Sequence, residues 1–212
     1  NVGKSTIFNA LTSAKAASEN FPFCTIEPNT GKVPVPDDRL NILAKIAGSQ
    51  KTIPTQMTFV DIAGLIKGAA SGEGLGNQFL GHIRSVDAIM QVVRCFDDQN
   101  IVHVDGSVDP LRDISTIETE LVLSDLEALE KQLIRIEKNA RGGDKEAKAK
   151  AELIKELINH LNSGQLAKTF SEIKNESIST EVNSLLTSKP VMYVANVEEQ
   201  DAVRRPDLNG TS

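Results

Sequence analysis

The chain has 212 residues, of which 40% are hydrophobic and 25% charged. That composition excludes wholesale disorder, and at about 150 residues per domain the length suggests one domain with a sizeable insertion. No apolar run approaches the roughly 18 residues of a membrane span, and the polar opening predicts no signal peptide. Two cysteines cannot form a disulfide scaffold, so we expect a cytoplasmic protein. The net charge of −6 restricts any nucleic-acid contact to a local basic patch.

The first residues carry part of a phosphate-binding motif. Gly3-Lys4-Ser5 matches the end of the P-loop pattern G-x-x-x-x-G-K-[ST], whose first glycine would precede Asn1. Ile7, Leu11 and Ala14 follow at helical spacing, as the motif requires, but the strand before the motif is missing. We therefore expect a fragment of a longer protein. The alternative is that the tetrapeptide Gly3–Thr6 occurs by chance in an unrelated fold. The rest of the chain must decide between these two interpretations.

The segments up to residue 95 alternate between loops, helices and strands. Residues 17–38 predict a long loop with a short extended piece around Lys32–Val35. A helix is expected to begin at Asp38 and to end at Gly48, with its apolar face formed by Leu40, Leu43, Ile46 and Ala47. Next come a strand at Gln56–Val60, a glycine-rich run at 68–76, a helix containing Phe79, Leu80, Ile83 and Val86, and a buried parallel strand at Ala88–Cys95.

In residues 112–187 the apolar residues recur with the period of an α-helix. Apolar residues from Val122 to Ala140 and from Ala147 to Leu161 alternate at intervals of three and four, with a glycine-containing turn between the two runs. This predicts a helical hairpin with a coiled-coil seam, packed on further helices such as Ile173–Leu186, before a strand returns at Val191–Ala195. The predicted fold is an α/β P-loop G-domain of residues 1–111 plus 188–212, with helices on both faces of its sheet, interrupted by the helical insertion 112–187.

The motif residues have definite chemical roles. The expected phosphate-binding residues are Asn1, Val2, Gly3, Lys4, Ser5 and Thr6. Gly3 lets the backbone approach the phosphates, and Lys4 reaches their oxygens beside a helix N-terminus. Ser5 is the expected Mg²⁺ ligand, and Asp61, at the end of a strand, is the second anchor.

Two further positions would respond to the γ-phosphate. Gly64 has the D-x-x-G spacing from Asp61, so its N–H could sense that group, and Thr25 could close over Mg²⁺. Asn196-Val197-Glu198-Glu199 follows the last strand, where P-loop switch proteins hold the base-reading N-K-x-D. Each signal alone is weak, but their order along the chain predicts a nucleoside-triphosphatase switch.

Longer stretches of the chain resemble a known family. Residues 20–29, 61–69, 72–77 and 92–96 resemble the Obg group of P-loop GTPases, and together they are similar to its Obg-like ATPase (YchF-type) subfamily. The resemblance covers nearly the whole chain, including the turn of the helical insertion. It implies a central G-domain, a helical arm, association with the ribosome and a C-terminal TGS domain. The TGS domain, the first strand and the last base-binding loop are not in this chain.

Two departures from ordinary GTPases bear on nucleotide choice and hydrolysis. Val197 and Glu199 replace the lysine and aspartate that recognise guanine, which predicts ATP in preference to GTP; a true Obg-type GTPase is the alternative. Leu65 stands where Ras-like enzymes place a water-positioning glutamine. His103, in a polar loop after a strand, and Asn1, which would hold a K⁺ ion, are the candidates to replace it. Since Leu65 cannot orient water, a non-hydrolysing interaction module is a further alternative.

The helical insertion carries an uneven charge. Residues 131–150 contain seven Lys and Arg against three Asp and Glu, so the hairpin tip can contact RNA phosphates. One tyrosine and no tryptophan give no basis for base stacking. We expect ATP or GTP and the ribosome or structured RNA as partners, no membrane, and a monomer.

Overall fold

The computed structural model describes residues 2–16, 30–62, 75–97 and 107–203. They belong to two compact units, one within Asn1–Ala63 and one within Gly64–Ser212. Each unit contains one two-stranded sheet among its described residues. No helix of the described segments is long and apolar enough to cross a membrane. The domain boundaries predicted at residues 112 and 187 stay a prediction.

The first unit consists of α1 (Lys4–Ala16), β1 (Thr30–Pro34), α2 (Asp38–Ala47) and β2 (Gln56–Val60). The two strands are antiparallel, with Thr30 opposite Val60 and Pro34 opposite Gln56. The short extended piece expected at 32–35 therefore begins two residues earlier. Helix α1 lies so close to β1 that a Cβ atom at Gly31 would stand 2.2 Å from Cγ2 of Thr12. Only glycine allows this approach without a shift of the helix.

Helix α2 begins and ends where the sequence predicted. Asp37 is its N-cap and accepts a hydrogen bond from the Arg39 backbone N–H, while Gly48 ends it with φ of 62°. The Arg39 side chain lowers the pKa of the Asp37 carboxyl through its own hydrogen bonds. The predicted apolar face is not buried among the described residues, since Leu43 is 59% and Ile46 78% exposed.

The second unit combines a parallel pair of strands with a helical region. Its elements are α3 (Leu75–Arg84), β3 (Ile89–Arg94), α4 (Pro110–Arg141), α5 (Lys145–Asn162), α6 (Ser179–Asn183), β4 (Val191–Asn196) and α7 (Glu199–Val203). Strands β3 and β4 are parallel, with Ile89 opposite Val191 and Arg94 opposite Asn196. The prediction of a parallel strand in this part of the chain is confirmed. Both strands end at the same edge, as parallel pairing requires.

Helices α4 and α5 form the predicted hairpin. Gly143 has φ of 92° in the turn, and Asp144 caps α5 by accepting hydrogen bonds from the N–H groups of Glu146 and Ala147. The expected helix Ile173–Leu186 is instead broken into two short 3₁₀ turns and the five-residue α6. Its apolar residues still cover the hairpin, and together they form a core of Val122, Leu129, Ile154, Leu157, Leu161, Ala167, Phe170, Ile178, Val182 and Leu185.

A buried carboxylate connects α4 to the end of the helical region. Asp125 is 1% exposed, and its oxygens accept hydrogen bonds from the Leu186 N–H (2.7 Å), the Thr187 N–H (2.8 Å) and the Thr187 hydroxyl (2.7 Å). Burial raises the pKa of the Asp125 carboxyl, and these hydrogen bonds oppose the rise. Residues 113–130 contain six Asp and Glu and no Lys or Arg, and one of these carboxylates satisfies backbone donors inside the fold.

Tyr193 on β4 donates a hydrogen bond of 2.7 Å to Glu118 on α4. This bond raises the pKa of Tyr193 to about 12. Because the neutral phenol is favoured in the folded state, the stability it contributes is present below about pH 10 and is lost as the pH rises through about 12. We expect Glu118→Gln to move the pKa of Tyr193 back towards about 10.

Absorbance of tyrosinate during an alkaline titration measures this shift, with Tyr193→Phe as the baseline. A wild-type phenol that ionises near its ordinary pKa while circular dichroism still shows a folded protein would contradict the contact.

Candidate functional site

The start of α1 has the backbone of a phosphate-binding turn. Gly3 has φ of 86°, a left-handed conformation that glycine adopts without strain. Its carbonyl accepts the first helical hydrogen bond, from the Ile7 N–H at 3.0 Å. Lys4 is the first residue of the helix, so its side chain leaves from the positive end of the helix dipole. Local sequence fixes this geometry: a glycine turns the chain, and helix-forming residues follow it.

Two side chains of α1 contact the carboxylate that follows β2. The Lys4 ammonium forms a salt bridge with Oδ1 of Asp61, and the Ser5 hydroxyl donates a hydrogen bond of 2.8 Å to Oδ2. The Asp61 side chain is 13% exposed and that of Lys4 34% exposed. The structure thus brings together three predicted site residues, of which Asp61 lies more than fifty positions from the others.

The oxygens of Ser5 and Asp61 have a spacing that suits a Mg²⁺ ion. Ligands at about 2.0–2.1 Å in octahedral geometry stand roughly 2.9 Å apart when they are neighbours, and the Ser5 Oγ to Asp61 Oδ2 distance is 2.8 Å. Both are hard oxygen donors, and Mg²⁺ usually takes only one or two of its ligands from the protein. No cluster of three or more His, Cys, Asp or Glu that could hold a metal occurs in the described segments. Ser5 and Asp61 thus place two such oxygens side by side.

The candidate base-reading residues lie in the second unit, at the end of β4. Asn196 is the last residue of the strand, and its carbonyl accepts a hydrogen bond of 2.8 Å from the Cys95 N–H. Val197 is partly buried, whereas Glu199 is exposed at the first position of α7. Two N–H groups of that helix bind the Glu198 carbonyl. The loop between β4 and α7 is thus short and held by backbone hydrogen bonds at both ends.

The structure describes some of the remaining predicted site residues and histidines but not others. Asn1, Thr25, Gly64 and His103 lie outside the described residues, so their roles stay predictions. Val2, Gly3 and Thr6 surround Lys4 and Ser5 at the start of α1, as the motif requires. His82 is exposed on α3. His160, on α5 of the helical region, lies 3.2 Å from the Leu166 carbonyl oxygen and 3.0 Å from the Thr169 hydroxyl.

Arg94 is a residue of this region that motif reasoning missed. It ends β3, is only 1% exposed, and stands opposite Asn196 in the parallel register. It is the one charged side chain in the otherwise uncharged run 88–95, a signal that could have marked it. Burial raises the pKa of the neighbouring Cys95 thiol, and Asp113 raises it further.

The hairpin tip exposes positive charge. We define the arm tip as Arg135, Lys138, Arg141, Lys145 and Lys148, all of which are exposed. None of these five forms a salt bridge with a carboxylate of the described residues. Lys131, Lys150 and Lys155, by contrast, pair with glutamates. The arm tip is a basic surface with its charges available to an anionic partner.

Comparison with known proteins identifies related chains. The family described as "50S ribosome-binding GTPase" matches residues 1–124. "Ribosome-binding ATPase YchF" of Escherichia coli O157:H7 is 52% identical over 209 residues, 99% of this chain and 58% of the relative. The protein of the same name from Bacillus subtilis (strain 168) is 51% identical over 209 residues, 99% of this chain and 57% of the relative.

A solved structure is also similar. The Schizosaccharomyces pombe YchF GTPase superposes with a TM-score of 0.76 at 42% identity, over 96% of this chain and 56% of that one. The predicted P-loop G-domain fold and the predicted YchF-type resemblance are both confirmed by these matches. The chain spans a little over half the length of the relatives it matches.

Proposed function

The chain belongs to the 50S ribosome-binding GTPase family, and from that premise we propose that it is part of a nucleoside-triphosphate-hydrolysing switch that prefers ATP to GTP. The contact of Lys4 and Ser5 with Asp61 carries the proposal of hydrolysis, and the preference for ATP rests on Val197 and Glu199. A cation for the phosphates, a hydroxyl and a carboxylate for Mg²⁺ meet at a helix N-terminus, the combination that phosphoryl transfer requires.

The roles of these residues in the bound state follow from their chemistry. Lys4, whose ammonium pairs with Asp61 in this structure, is the group that would neutralise the β- and γ-phosphate oxygens. Ser5 and Asp61, joined by Thr25, would hold Mg²⁺, and that ion would supply charge neutralisation on the phosphates. Gly64 would offer its N–H to the γ-phosphate. The triphosphate would thus be held between residues at the start of α1 and residues that follow β2.

Water positioning is the part of the reaction without an obvious residue. Leu65 presents only methyl groups, so we propose that His103 orients the attacking water. A K⁺ ion held by Asn1 is the other candidate, and it would stabilise charge on the leaving phosphate oxygens. Steady-state hydrolysis by His103→Ala, measured in K⁺ and in Na⁺, separates the two. A lower kcat with unchanged ATP affinity in both salts supports His103, whereas a dependence on K⁺ alone supports Asn1.

Nucleotide choice should follow Val197 and Glu199 together. Changing them to Lys and Asp in the full-length protein restores a stem that stacks on the base and a carboxylate of the length that fits guanine. We expect the ratio of GTP to ATP affinity to rise about tenfold or more, because a bidentate hydrogen-bond pair is at stake. Competition of each nucleotide against a fluorescent analogue measures the ratio.

The control for this change is Glu198→Asp, which shortens the neighbouring carboxylate in the same loop. It should leave the GTP to ATP ratio unchanged. A double variant that keeps the wild-type ratio would place base selection in another part of the protein. A wild-type protein that already prefers GTP would favour the alternative function, a true Obg-type GTPase.

The arm tip is the surface that we propose for contact with the ribosome or structured RNA. Lys138→Gln with Arg141→Gln should weaken association with ribosomes and lower the slope of log K against log salt by roughly one to two, because fewer counterions are released. Lys168→Gln with Lys174→Gln removes two exposed lysines elsewhere in the same unit and is the matched control. Equal losses in both pairs would assign the effect to net charge rather than to the arm tip.

The wider protein context is part of the proposal. We propose a monomeric cytoplasmic protein with a TGS domain beyond the chain, which contributes to the same partner contact. The alternative from a different class is a non-hydrolysing, nucleotide-gated interaction module, in which the helical arm does the work. Such a module would bind triphosphate and its partner but release no phosphate, so a phosphate-release assay with wild-type protein separates the two.

A further inference from the structure

Arg94 is a buried cation at the edge of the sheet where the base-reading loop begins. Its side chain is 1% exposed, and it ends β3 directly opposite Asn196 of β4. Placing a guanidinium away from water is costly and is compensated only by well-directed hydrogen bonds and contacts. Well-directed contacts of Arg94 are therefore expected to hold neighbouring parts of the structure in place.

Two contacts of Arg94 are made with Phe96, which follows β3. The Nε–H of Arg94 donates a hydrogen bond of 3.0 Å to the Phe96 carbonyl, and its guanidinium carbon lies 4.7 Å from the centre of the Phe96 ring. The second contact is a cation–π interaction, which gains strength when the cation is desolvated. One side chain thus fixes both the backbone and the ring of Phe96.

Cys95, which lies between Arg94 and Phe96, connects this part of the chain to β4. The Cys95 N–H donates its hydrogen bond of 2.8 Å to the carbonyl of Asn196. Because Arg94 sets the conformation of the chain on both sides of Cys95, it also sets the direction of that N–H. The backbone of Asn196 is therefore positioned, through Cys95, by a side chain of the neighbouring strand.

We infer that Arg94 is a positioning residue for recognition of the nucleotide base, acting on the loop Asn196–Glu199. The inference rests on the proposed function, in which this loop reads the base. Arg94 needs no contact with the nucleotide for this role. Its loss should weaken every ligand that carries a base and should spare ligands that occupy only the phosphate side.

The experiment uses the full-length protein and Arg94→Lys, which keeps the positive charge but removes the Nε donor and the planar group over Phe96. We expect the affinity for ATP to fall about tenfold, the order expected for one hydrogen bond from a charged group. Inhibition by inorganic tripolyphosphate, which has no base, should keep its wild-type constant. Arg84→Lys is the matched control, since Arg84 lies on α3 and donates to the Ser124 hydroxyl; it should change neither value.

Phe96→Leu is the second variant, because it removes the ring and leaves the carbonyl that accepts from Arg94. It should weaken ATP binding in the same direction and by a smaller factor. Equal weakening of ATP and tripolyphosphate, or unchanged ATP affinity in a folded Arg94→Lys protein, would overturn the inference. Failure of the wild-type protein to bind either ligand would instead reject the proposed function, so the two failures are distinguishable.

Discussion

Lys4→Ala in the full-length protein is expected to weaken ATP and GTP binding by about a hundredfold or more, because it removes a charge-assisted hydrogen bond to the phosphates. In the structure this lysine lies beside the carboxylate that we propose as a Mg²⁺ ligand. Its ammonium already faces the Asp61 carboxylate, and its side chain is still 34% exposed. The Lys4 ammonium can therefore exchange Asp61 for an incoming phosphate oxygen while α1 stays folded.

Isothermal titration with each nucleotide measures the loss, and thermal unfolding checks that the fold is retained. Lys51→Ala is the matched control, since Lys51 is an exposed lysine of the same unit outside the motif. Nucleotide affinity within a few-fold of wild type would reject the P-loop interpretation. Ribosome association adds a second readout: an interaction module that needs no nucleotide should keep its partner when Lys4 is lost, whereas a switch should not.

Asp125→Ala is expected to destabilise the protein by about 2–5 kcal/mol, because it leaves two buried backbone N–H groups without acceptors. These donors belong to Leu186 and Thr187, which are 0% and 4% exposed and therefore out of reach of water. The Thr187 hydroxyl also accepts a hydrogen bond of 3.1 Å from the Ala167 N–H. Loss of the Asp125 carboxylate would thus disturb three segments of the helical region, those around residues 125, 167 and 186–187.

Urea unfolding followed by circular dichroism measures this effect, and Glu127→Ala is a close control. Glu127 lies two residues further along α4, is exposed and pairs with Lys131. Exposed pairs of this kind contribute little to stability, because water and salt screen them. Similar unfolding midpoints for the two variants would contradict the role assigned to Asp125. Nucleotide affinity should be unchanged in both, because neither residue belongs to the proposed site.

Local patterns in the sequence predicted much of the fold. Gly48 ends α2 where predicted, since glycine adopts a positive φ without strain whatever its surroundings. The three-and-four spacing of apolar residues predicted the α4–α5 hairpin, and Leu129, Ile154 and Leu161 are buried in its core. In each case the information lies within a few neighbouring residues.

The predicted helix at 173–186 shows where such patterns fail. Its residues Ile178 and Val182 are buried as expected, but two short 3₁₀ turns and the five-residue α6 replace the single helix. Tertiary packing on the hairpin outweighed local helical preference, which contributes well under about 1 kcal/mol per residue. Likewise, the period of α2 predicted an apolar face, yet no pattern reveals whether another element covers it.

By itself, the sequence determined the helical hairpin and the order of strands and helices, because these depend on residues close together along the chain. The tertiary structure decided which distant residues meet. It brought Asp61 to Lys4 and Ser5, placed Asp125 under the backbone of Leu186 and Thr187, and buried Arg94 opposite Asn196. A charged residue in a sequence is exposed or buried according to what folds over it, and that depends on long-range contacts which no local period encodes.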